Sequence, residues 1–552
     1  MKLKTTIILS IVFISINAFA GKRGITEINS IARKTLFPAK TRAMDSHSLR
    51  IIDANEMLTI VGDNQEGLVI VPNDDAFPEV IGYSNASFSE LPPALKWYIA
   101  AASDAMRAMA NDNICYAAIP PSSDYPAHVD QLLSTTWDQG KPYNNLCPGG
   151  NGAKSSLYPT GCVATAMAQI MKFHNYPEVG IGSHQYSFQP SSGDGRIISA
   201  EFGETHYDWN NMLDDYSAEY TSEQANAVAT LMLHCGVAVD MGYTESGSGS
   251  YAVEACQGIR KYFGYNEGAC LYSRDYFSAE LWMQMLFEEL SKKRPVYYSG
   301  SSEAQGGHAF VIDGYDENGL VHVNWGWGGK TNGFYDIALL NPSSYQFSNN
   351  QHMILNICKP TEVIASKSQL GAQELNFNFY GTSVKRISIK STKLVNIGAD
   401  AFKGSIAAIL QNADTTIVLK SQEDNSLNPY LDGVAFYGSV NLMSISLSNI
   451  PDGTYILFVG SKSTTDTQWQ LIRTLEGITS SYTIKIEGGN VSYEANQSDL
   501  WSASTTTAIT SVRNSTKHNQ HLIYDLRGRN LGTDASTLPK GVYIIDGKKV
   551  VK

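Results

Sequence analysis

The chain has 552 residues, a formal net charge of −12 and a hydrophobic content of 43%. A single folded domain usually spans ~100–200 residues, so several domains are expected. The ordinary hydrophobic content excludes a wholly disordered chain. The net negative charge argues against a nucleic-acid partner, because such a partner requires a basic face on the protein.

The first twenty residues have the pattern of a signal peptide. Lys2 and Lys4 precede an apolar run over residues 7–16, and Ala18-Phe19-Ala20 fits a cleavage site of small residues. The apolar run is too short to span a bilayer as a permanent helix. We therefore expect residues 1–20 to be removed and the mature chain to be exported.

Residues 21–125 are expected to form a first unit of mixed α and β structure. Alternating and β-branched residues predict strands over 58–61 and 67–72, and a helix is expected to begin near Leu91 and to run through Met106. The segment 119–126 is rich in proline and polar residues, which is typical of an exposed linker that proteases nick.

Residues 126–360 carry the candidate chemistry. After a tight turn that ends at Gly161, Cys162 begins an amphipathic helix with apolar residues at 164, 167, 168 and 171, and Pro177 must end it. Further helices are predicted over 222–236 and 253–263, and strands over 296–298, 308–315 and 320–325. Helices followed by antiparallel strands indicate an α+β domain.

The remaining residues have a different pattern. Alternating runs over 384–389 and 482–486 predict half-buried strands, so residues 361–495 are expected to form an all-β sandwich of the immunoglobulin kind. Residues 496–552 are interpreted as a linker, rich in serine and threonine over 502–511, followed by a short β tail.

Cys162, His308 and Asn324 follow one another in the order of a papain-type thiol protease site. A thiol is a useful nucleophile only as the thiolate, and a free cysteine with a pKa of ~8.5 is mostly protonated at neutral pH. The helix N-terminus is expected to lower the pKa of Cys162. His308 is the expected base, which takes the thiol proton and later protonates the leaving amine.

The predicted hairpin indicates how His308 would be held. The turn over 316–319 brings Asn324 back to within a few residues of His308, so the asparagine oxygen is the expected acceptor for the imidazole N–H. Trp325 and Trp327, which flank this position, are expected to shield that hydrogen bond from water. Whether the Asn324 side chain lies on the same side of the sheet as His308 depends on the register of the turn.

Gln139, in the run Trp137-Asp138-Gln139-Gly140, is the candidate side-chain donor to the oxyanion, together with the backbone N–H of Cys162. Taken singly, a cysteine is more often a buried small side chain or half of a disulfide than a nucleophile. The order of the residues, the helix start and the odd count of seven cysteines together favour catalysis.

Three segments resemble the signatures of the streptopain family of cysteine peptidases: 160–177 (TGCVATAMAQIMKFHNYP), 306–314 (GGHAFVIDG) and 323–329 (VNWGWGG). The resemblance implies a papain-like fold with Cys162 as the nucleophile and His308 as the base. It also implies that Asn324, Trp325 and Trp327 support the histidine and that Ser248 and Gly307 contact the substrate. The two tryptophans are counted with Ser248 and Gly307 as candidate substrate-binding residues. It implies no metal and no organic cofactor.

Two further segments carry resemblances of their own. Residues 67–83 are similar to the inhibitory propeptide of that family, which implies a zymogen that is cleaved near residues 119–129. Residues 524–529 and 538–543 are similar to the sorting tails of Bacteroidetes proteins exported by the type IX pathway. We therefore expect a secreted or cell-surface protein of a Gram-negative bacterium, with the periplasm as the alternative location.

The sequence thus predicts a secreted cysteine endopeptidase, made as a zymogen, that cuts extracellular or host polypeptides through an acyl-enzyme. Its expected partners are these substrates, its own propeptide as inhibitor and the secretion machinery, with no integral membrane segment. Two alternatives stay open: a papain-fold acyl transferase of the transglutaminase kind, and a surface adhesin in which the sandwich binds a partner and the peptidase unit is inactive.

Overall fold

The structure is a computed structural model, and it describes residues 21–38, 49–149, 157–189, 195–302, 306–341, 349–361, 364, 369–380, 385–430, 437–496, 523–525, 542–545 and 548–551. The predicted signal peptide (1–20) and the Ser/Thr-rich linker (502–511) lie outside the described residues. Three parts are distinguished here by residue number: the N-terminal part (21–125), the central part (126–360) and the sandwich (361–495).

The N-terminal part has two helices and four strands in its described residues. The elements are α1 (Ile25–Leu36), β1 (Arg50–Ala54), β2 (Leu58–Asp63), β3 (Gly67–Pro72), β4 (Gly82–Ser84) and α2 (Pro93–Asn111). The strands predicted over 58–61 and 67–72 and the helix predicted after Leu91 are confirmed. Helix α1 was not predicted; it packs the apolar face of Ile28, Ile31 and Leu36 on Val61 and Val69 of the sheet.

The central part begins its regular structure at the predicted helix of Cys162. Its elements are α3 (Cys162–His174), β5 (His184–Phe188), β6 (Arg196–Ala200), α4 (Ser222–Ala238), α5 (Ala252–Lys261), β7 (Cys270–Ser273), α6 (Ala279–Ser291), β8 (Val296–Ser302), β9 (Gly306–Tyr315), β10 (Val321–Asn324), β11 (Gly333–Tyr335) and β12 (Asn349–Leu355). The three predicted helices and three predicted strands are confirmed. Helix α6 was not predicted; the Ser278 side chain caps its N-terminus by accepting from the Leu281 N–H.

One sheet of ten strands joins the N-terminal and central parts, in the order β1-β2-β3-β4-β11-β10-β9-β8-β12-β7. The junction is the antiparallel pair of β4 and β11, in which Tyr83 lies opposite Phe334 and Gly82 opposite Tyr335. The two parts therefore share backbone hydrogen bonds as well as side-chain contacts.

The two faces of this sheet pack against different helices. On β9, Ala309 and Val311 belong to the apolar core that includes α3. Their neighbours Phe310 and Ile312 belong to the core that includes α2 and α6. Because side chains alternate along a strand, each residue of β9 is assigned to one of these two faces.

The sandwich consists of two sheets that enclose a separate core, which confirms the predicted β-sandwich. Its strands are β13 (Leu370–Ala372), β14 (Asn376–Tyr380), β15 (Arg386–Asn396), β16 (Phe402–Gln411), β17 (Thr416–Leu427), β18 (Gly438–Ser446), β19 (Gly453–Ser463), β20 (Gln470–Leu471), β21 (Arg473–Thr474), β22 (Ser481–Glu487) and β23 (Asn490–Ala495). The chain as a whole has the predicted α+β class with an all-β domain after it.

Within the predicted tail, three short strands form an antiparallel sheet: β24 (Ile523–Asp525), β25 (Val542–Ile545) and β26 (Lys548–Val551). Its role as a sorting signal stays a prediction. None of the helices in the described ranges is long and apolar enough to cross a membrane.

Candidate active site

Cys162 is the first residue of α3, as predicted, and Gly161 before it is the N-cap, with φ of 88°. A Cβ atom at Gly161 would lie 2.8 Å from the Ser248 carbonyl oxygen and 2.9 Å from the Met241 sulfur. Both the left-handed backbone and this close approach require glycine. The local sequence therefore fixes the thiol at the helix N-terminus.

The electrostatic surroundings of Cys162 differ from the prediction. Burial raises the pKa of the thiol above its ordinary value, although the backbone N–H groups of Ala309, Val163 and Cys162 itself act in the opposite direction. Three N–H groups directed at one sulfur are what a helix N-terminus next to a strand can provide for a thiolate. The predicted lowering of the thiol pKa is wrong for this form of the chain, because desolvation outweighs these donors.

His308 lies on the other face of the sheet. Its ring centroid is 6.4 Å from that of Trp97, and the centroid of Phe310 is 6.1 Å from the same indole. Trp97 is a fully buried residue of α2 in the N-terminal part. His308 thus points to the side of β9 that carries Phe310, whereas Cys162 lies on the side of Ala309 and Val311.

Asn324 lies close to His308 along the sheet, as the hairpin predicted, because it pairs with Val311 of β9. Its side chain makes different contacts from those expected. The Asn324 oxygen accepts from the Gln169 side chain (3.2 Å) and from the Gly326 N–H (3.1 Å), and its amide donates to the Thr135 carbonyl (2.7 Å). The predicted acceptance from the His308 imidazole is therefore not the arrangement found, since the two side chains lie on opposite faces.

Gln139 is buried, and its side-chain amide nitrogen has no hydrogen-bond partner among the described residues. Its backbone carbonyl accepts from the Thr160 N–H at 3.0 Å, which ties it to the turn before Cys162. A buried amide N–H without a partner is costly in a native protein and calls for an explanation. This geometry is compatible with the predicted role as an oxyanion donor.

The four predicted substrate-binding residues lie in different surroundings. Ser248 is buried and donates to the Pro159 carbonyl at 2.7 Å, two residues before Gly161. Gly307 is exposed in β9 and Trp327 is partly buried. Trp325 is fully buried, with its ring 4.9 Å from Phe310.

A buried polar group that the sequence did not reveal lies beside the thiol. Tyr297 on β8 is fully buried, faces the α3 core, and its hydroxyl makes no hydrogen bond within the described part of the chain. Burial raises the pKa of Tyr297 well above its ordinary value, and the neighbouring Cys162 and Glu254 act in the same direction. The side chain of Ser299 lies next to this hydroxyl. Ser299 pairs with Ala309, whose N–H points at the Cys162 sulfur.

A second buried polar group was also missed, at the contact of the N-terminal and central parts. The carboxylate of Asp336, just after β11, accepts from the Tyr116 hydroxyl at 2.9 and 3.1 Å. The backbone N–H of Asp336 donates to the Ile81 carbonyl, and its carbonyl accepts from the Tyr98 hydroxyl. Burial raises the pKa of Asp336 to about 7. No sequence signal links these residues, which lie more than 200 positions apart.

All seven cysteines lie within the described ranges, and none of them forms a disulfide. Among the described residues, no group of three or more histidine, cysteine, aspartate or glutamate side chains could hold a metal ion.

Comparison with known proteins finds relatives among cysteine peptidases. The model of the peptidase C10 family matches residues 137–335. Streptopain of Streptococcus pyogenes is 36% identical over 295 residues, which cover 50% of this chain and 73% of streptopain. The thiol protease/hemagglutinin PrtT of Porphyromonas gingivalis is 33% identical over 317 residues, which cover 53% of this chain but only 36% of PrtT.

A solved structure also matches more than half of the chain. A fragment of Prevotella intermedia prointerpain A matches with a TM-score of 0.52 at 42% sequence identity, covering 56% of this chain and 98% of that fragment. Identity at this level over most of streptopain and nearly all of the prointerpain fragment settles the family. The chain belongs to the streptopain-like peptidase C10 family and is a cysteine endopeptidase.

Proposed function

We propose that this endopeptidase is exported as an inactive zymogen, with residues 21–125 as its inhibitory propeptide and Cys162 and His308 as its catalytic pair. The observation that carries the proposal is the position of His308 against Trp97, on the opposite face of β9 from Cys162. A thiol and an imidazole separated by a β-sheet cannot exchange a proton.

Activation then consists of two local changes. When the N-terminal part leaves, Trp97 no longer packs on His308. The backbone at the exposed glycines Gly306 and Gly307 then rearranges, which carries the imidazole to the face of β9 that holds Ala309. The thiol of Cys162, which is partly buried and whose pKa burial raises in this form, then meets the imidazole. The thiolate–imidazolium pair forms there because the imidazolium and the N–H groups at the start of α3 stabilise the negative sulfur.

The reaction proceeds through an acyl-enzyme. The Cys162 thiolate attacks the peptide carbonyl carbon, the C–N bond breaks, and the His308 imidazolium gives its proton to the leaving amine. Water, deprotonated by the same imidazole, then cleaves the thioester and returns the thiol. The amide N–H of Gln139 and the backbone N–H of Cys162 bind the oxyanion, which is the role that the partnerless amide of Gln139 supports.

Asn324 and the cleft residues have supporting roles in this proposal. The Asn324 oxygen, now shared between Gln169 and Gly326, lies on the face to which His308 turns and there orients the imidazole. Ser248 and Gly307 contact the polypeptide substrate beside Cys162. The predicted shielding by Trp325 and Trp327 is not part of the proposal, because both pack with the core on the Phe310 side of β9, which His308 leaves.

The contacts of the N-terminal part support its role as an inhibitor. Its strand β4 extends the central sheet by pairing with β11, and Tyr116 and Tyr98 contact Asp336. The prointerpain A fragment, named as a pro form, is covered almost entirely by this chain. Cleavage within 119–129, just after Tyr116, cuts the covalent link between the two parts. The noncovalent contacts remain and are lost only when the N-terminal part dissociates.

The signal-peptide pattern and the tail support export to the surface or surroundings of a Gram-negative bacterium, with residues 496–552 as the segment that the secretion machinery recognises. The substrates there are extracellular or host polypeptides.

The experiment uses residues 21–552 beside a Cys162→Ala variant, each incubated with a thiol reductant and casein and followed by gel and intact mass. We expect the parent chain to lose its N-terminal part near 119–129 and then to digest casein, while the variant stays full length and inactive. Cleavage of the variant at the same rate, or a parent chain that stays inert after its N-terminal part is removed by another protease, would refute the proposal. An added primary amine that appears in the products in place of water would indicate the acyl-transferase alternative.

A further inference from the structure

The sandwich contacts helix α5 of the central part through a bidentate ion pair. The guanidinium of Arg260 donates to both carboxylate oxygens of Asp400, at 2.7 and 2.8 Å. Arg260 is 8% exposed, so its charge is largely removed from water. A parallel pair of N–H···O bonds is the strongest and most directional form of this contact.

The neighbouring contacts bury apolar and backbone groups as well. Ala399 of the sandwich lies 5% exposed within the same apolar core as α3, α4 and α5, and its carbonyl accepts from the Gln257 side chain. The loop that presents Ala399 and Asp400 is held in shape by Asn396, whose side chain donates to the Asp400 carbonyl at 2.7 Å and accepts from the Gly398 N–H at 3.0 Å.

A second set of contacts lies nearby on the central part, around the turn after β7. The guanidinium carbon of Arg473 lies 4.0 Å from the centre of the Phe277 ring. Arg274 and Glu476 form an ion pair at 3.6 Å, and the Glu476 N–H donates to the Asp275 carbonyl. The sandwich therefore contacts the central part at two places and is not a domain on a free linker.

Helix α5 connects this interface to the wall of the cleft beside Cys162. The segment just before α5 contains Ser248, whose side chain donates to the Pro159 carbonyl and whose own carbonyl is in close contact with Gly161. Gly242 and Gly249 exchange both backbone hydrogen bonds, and the Ser250 side chain donates to the Val239 carbonyl, so this segment is closed on itself. This segment therefore lies between α5 and the turn that ends at Gly161.

We propose that the sandwich is a permanent support of the peptidase, and that its contact with Arg260 through Asp400 holds α5 and so the substrate-cleft wall at Ser248 in place. The surface around Arg260 and Gln257 is the binding site for the loop 396–400 of the same chain. Arg260 and Asp400 are positioning residues, since neither touches the substrate. The inference rests on the proposed function, because it takes the Ser248 segment as part of the substrate site.

The test uses the full chain 21–552 and two conservative variants. Asp400→Asn keeps the shape of an exposed side chain but cannot complete the ion pair, and Arg260→Lys keeps the charge but loses the two parallel bonds. The control is Glu487→Gln, which breaks an exposed ion pair with Lys485 within the sandwich. Hydrogen exchange over 242–261 is measured without substrate, and KM and kcat are measured on a peptide after activation.

We expect both interface variants to exchange faster over 242–261 than the parent and the control, and to raise KM by roughly two- to tenfold with little change in kcat. Unchanged exchange and unchanged KM in both variants would overturn the inference. A parent chain without peptidase activity would count against the proposed function alone, because the exchange measurement still decides whether the sandwich holds α5.

Discussion

The rings of Trp97 and His308 have their centroids 6.4 Å apart with an angle of 57° between their planes. Through this contact the N-terminal part packs on His308, which the proposed mechanism requires on the opposite face of β9, beside Cys162. Inhibition by this arrangement does not require the propeptide to fill the cleft. It requires only that the imidazole be kept away from the sulfur.

We expect Trp97→Ala to make the zymogen process itself faster, because the alanine leaves His308 without its packing partner. Deleting a buried tryptophan also costs about 3–5 kcal/mol of stability, so a matched control is needed. Leu95→Ala removes another fully buried side chain of α2. Self-processing at a fixed temperature is followed by gel, and equal acceleration in both variants would show that general loosening of the N-terminal part, not the contact with His308, controls activation.

We expect Tyr297→Phe to make the thiol of the activated enzyme more basic. The Tyr297 hydroxyl makes no hydrogen bond among the described residues in this form, so it is the expected donor once Cys162 becomes a thiolate. Loss of that donor would remove roughly 1 kcal/mol, equivalent to about 0.5–1 pH unit. The pH dependence of iodoacetamide alkylation measures this shift.

The matched control for this experiment is Tyr298→Phe. Tyr298 is adjacent in β8 but lies on the other face, where its hydroxyl donates to Gln351 and accepts from Trp282. The control variant loses hydrogen bonds without approaching the thiol, so its alkylation profile stays where the parent's is. A Tyr297→Phe profile that overlays both would show that the hydroxyl does not act on Cys162.

We expect binding of the N-terminal part to weaken as pH rises, because of Asp336. Burial at the contact of the two parts raises its pKa to about 7, although the hydrogen bond from Tyr116 acts in the opposite direction. After dissociation the carboxyl meets water and returns toward about 3.9, the ordinary value for aspartate. The bound form therefore holds the proton of Asp336 more tightly than the dissociated form does. The resulting gain in binding affinity is complete below the lower pKa and is lost as pH rises to 7, by up to about tenfold per pH unit.

The measurement uses the Cys162→Ala zymogen, nicked within 119–129 by an added protease and passed over a sizing column at several pH values. The parent complex is expected to lose its N-terminal part more readily at pH 7 than at pH 5. The Asp336→Asn variant has no titrating group at position 336 and is expected to retain the N-terminal part equally at pH 5 and pH 7. The charged groups that face this pair are Asp316 and Arg274, and both are present in the two proteins. A steep pH dependence that persists in Asp336→Asn would assign the effect to another group.

We expect Gln139→Ala to lower kcat by about 10²–10³-fold with little change in KM, because the oxyanion forms only after the attack. Alkylation of Cys162 by iodoacetamide forms no oxyanion, so its rate is expected to equal that of the parent. If the variant loses alkylation as well, Gln139 supports the fold of the turn before Cys162 and is not an oxyanion donor.

Local signals predicted the position of Cys162 well. A proline–glycine turn followed by helix-forming residues marks a helix start, and the turn over 316–319 fixes a hairpin, so both Cys162 at the start of α3 and the nearness of Asn324 to His308 followed from short stretches of sequence. The α+β class and the sandwich followed from longer patterns of the same kind, whereas the papain-like fold was implied by the resemblance to the streptopain family.

The side-chain facing and electrostatics could not be predicted in this way. Asn324 bonds to Gln169, which lies 155 positions away, and His308 packs on a tryptophan more than 200 positions before it. The raised pKa of the Cys162 thiol comes from burial, which depends on the packing of the whole site. Each of these depends on contacts between distant segments, for which one sequence carries no periodic signal.

The pairing of β4 with β11 also has a consequence for the released enzyme. In the proposed activation, departure of residues 21–125 would turn β11 from an inner strand into an edge strand, and the main-chain groups that pair with Gly82 and Tyr83 would be exposed to water. Exposed edge strands can pair with strands of other molecules and so cause aggregation. This edge strand is only three residues long. It offers a neighbouring molecule few backbone groups to pair with, so its exposure on activation would favour aggregation little.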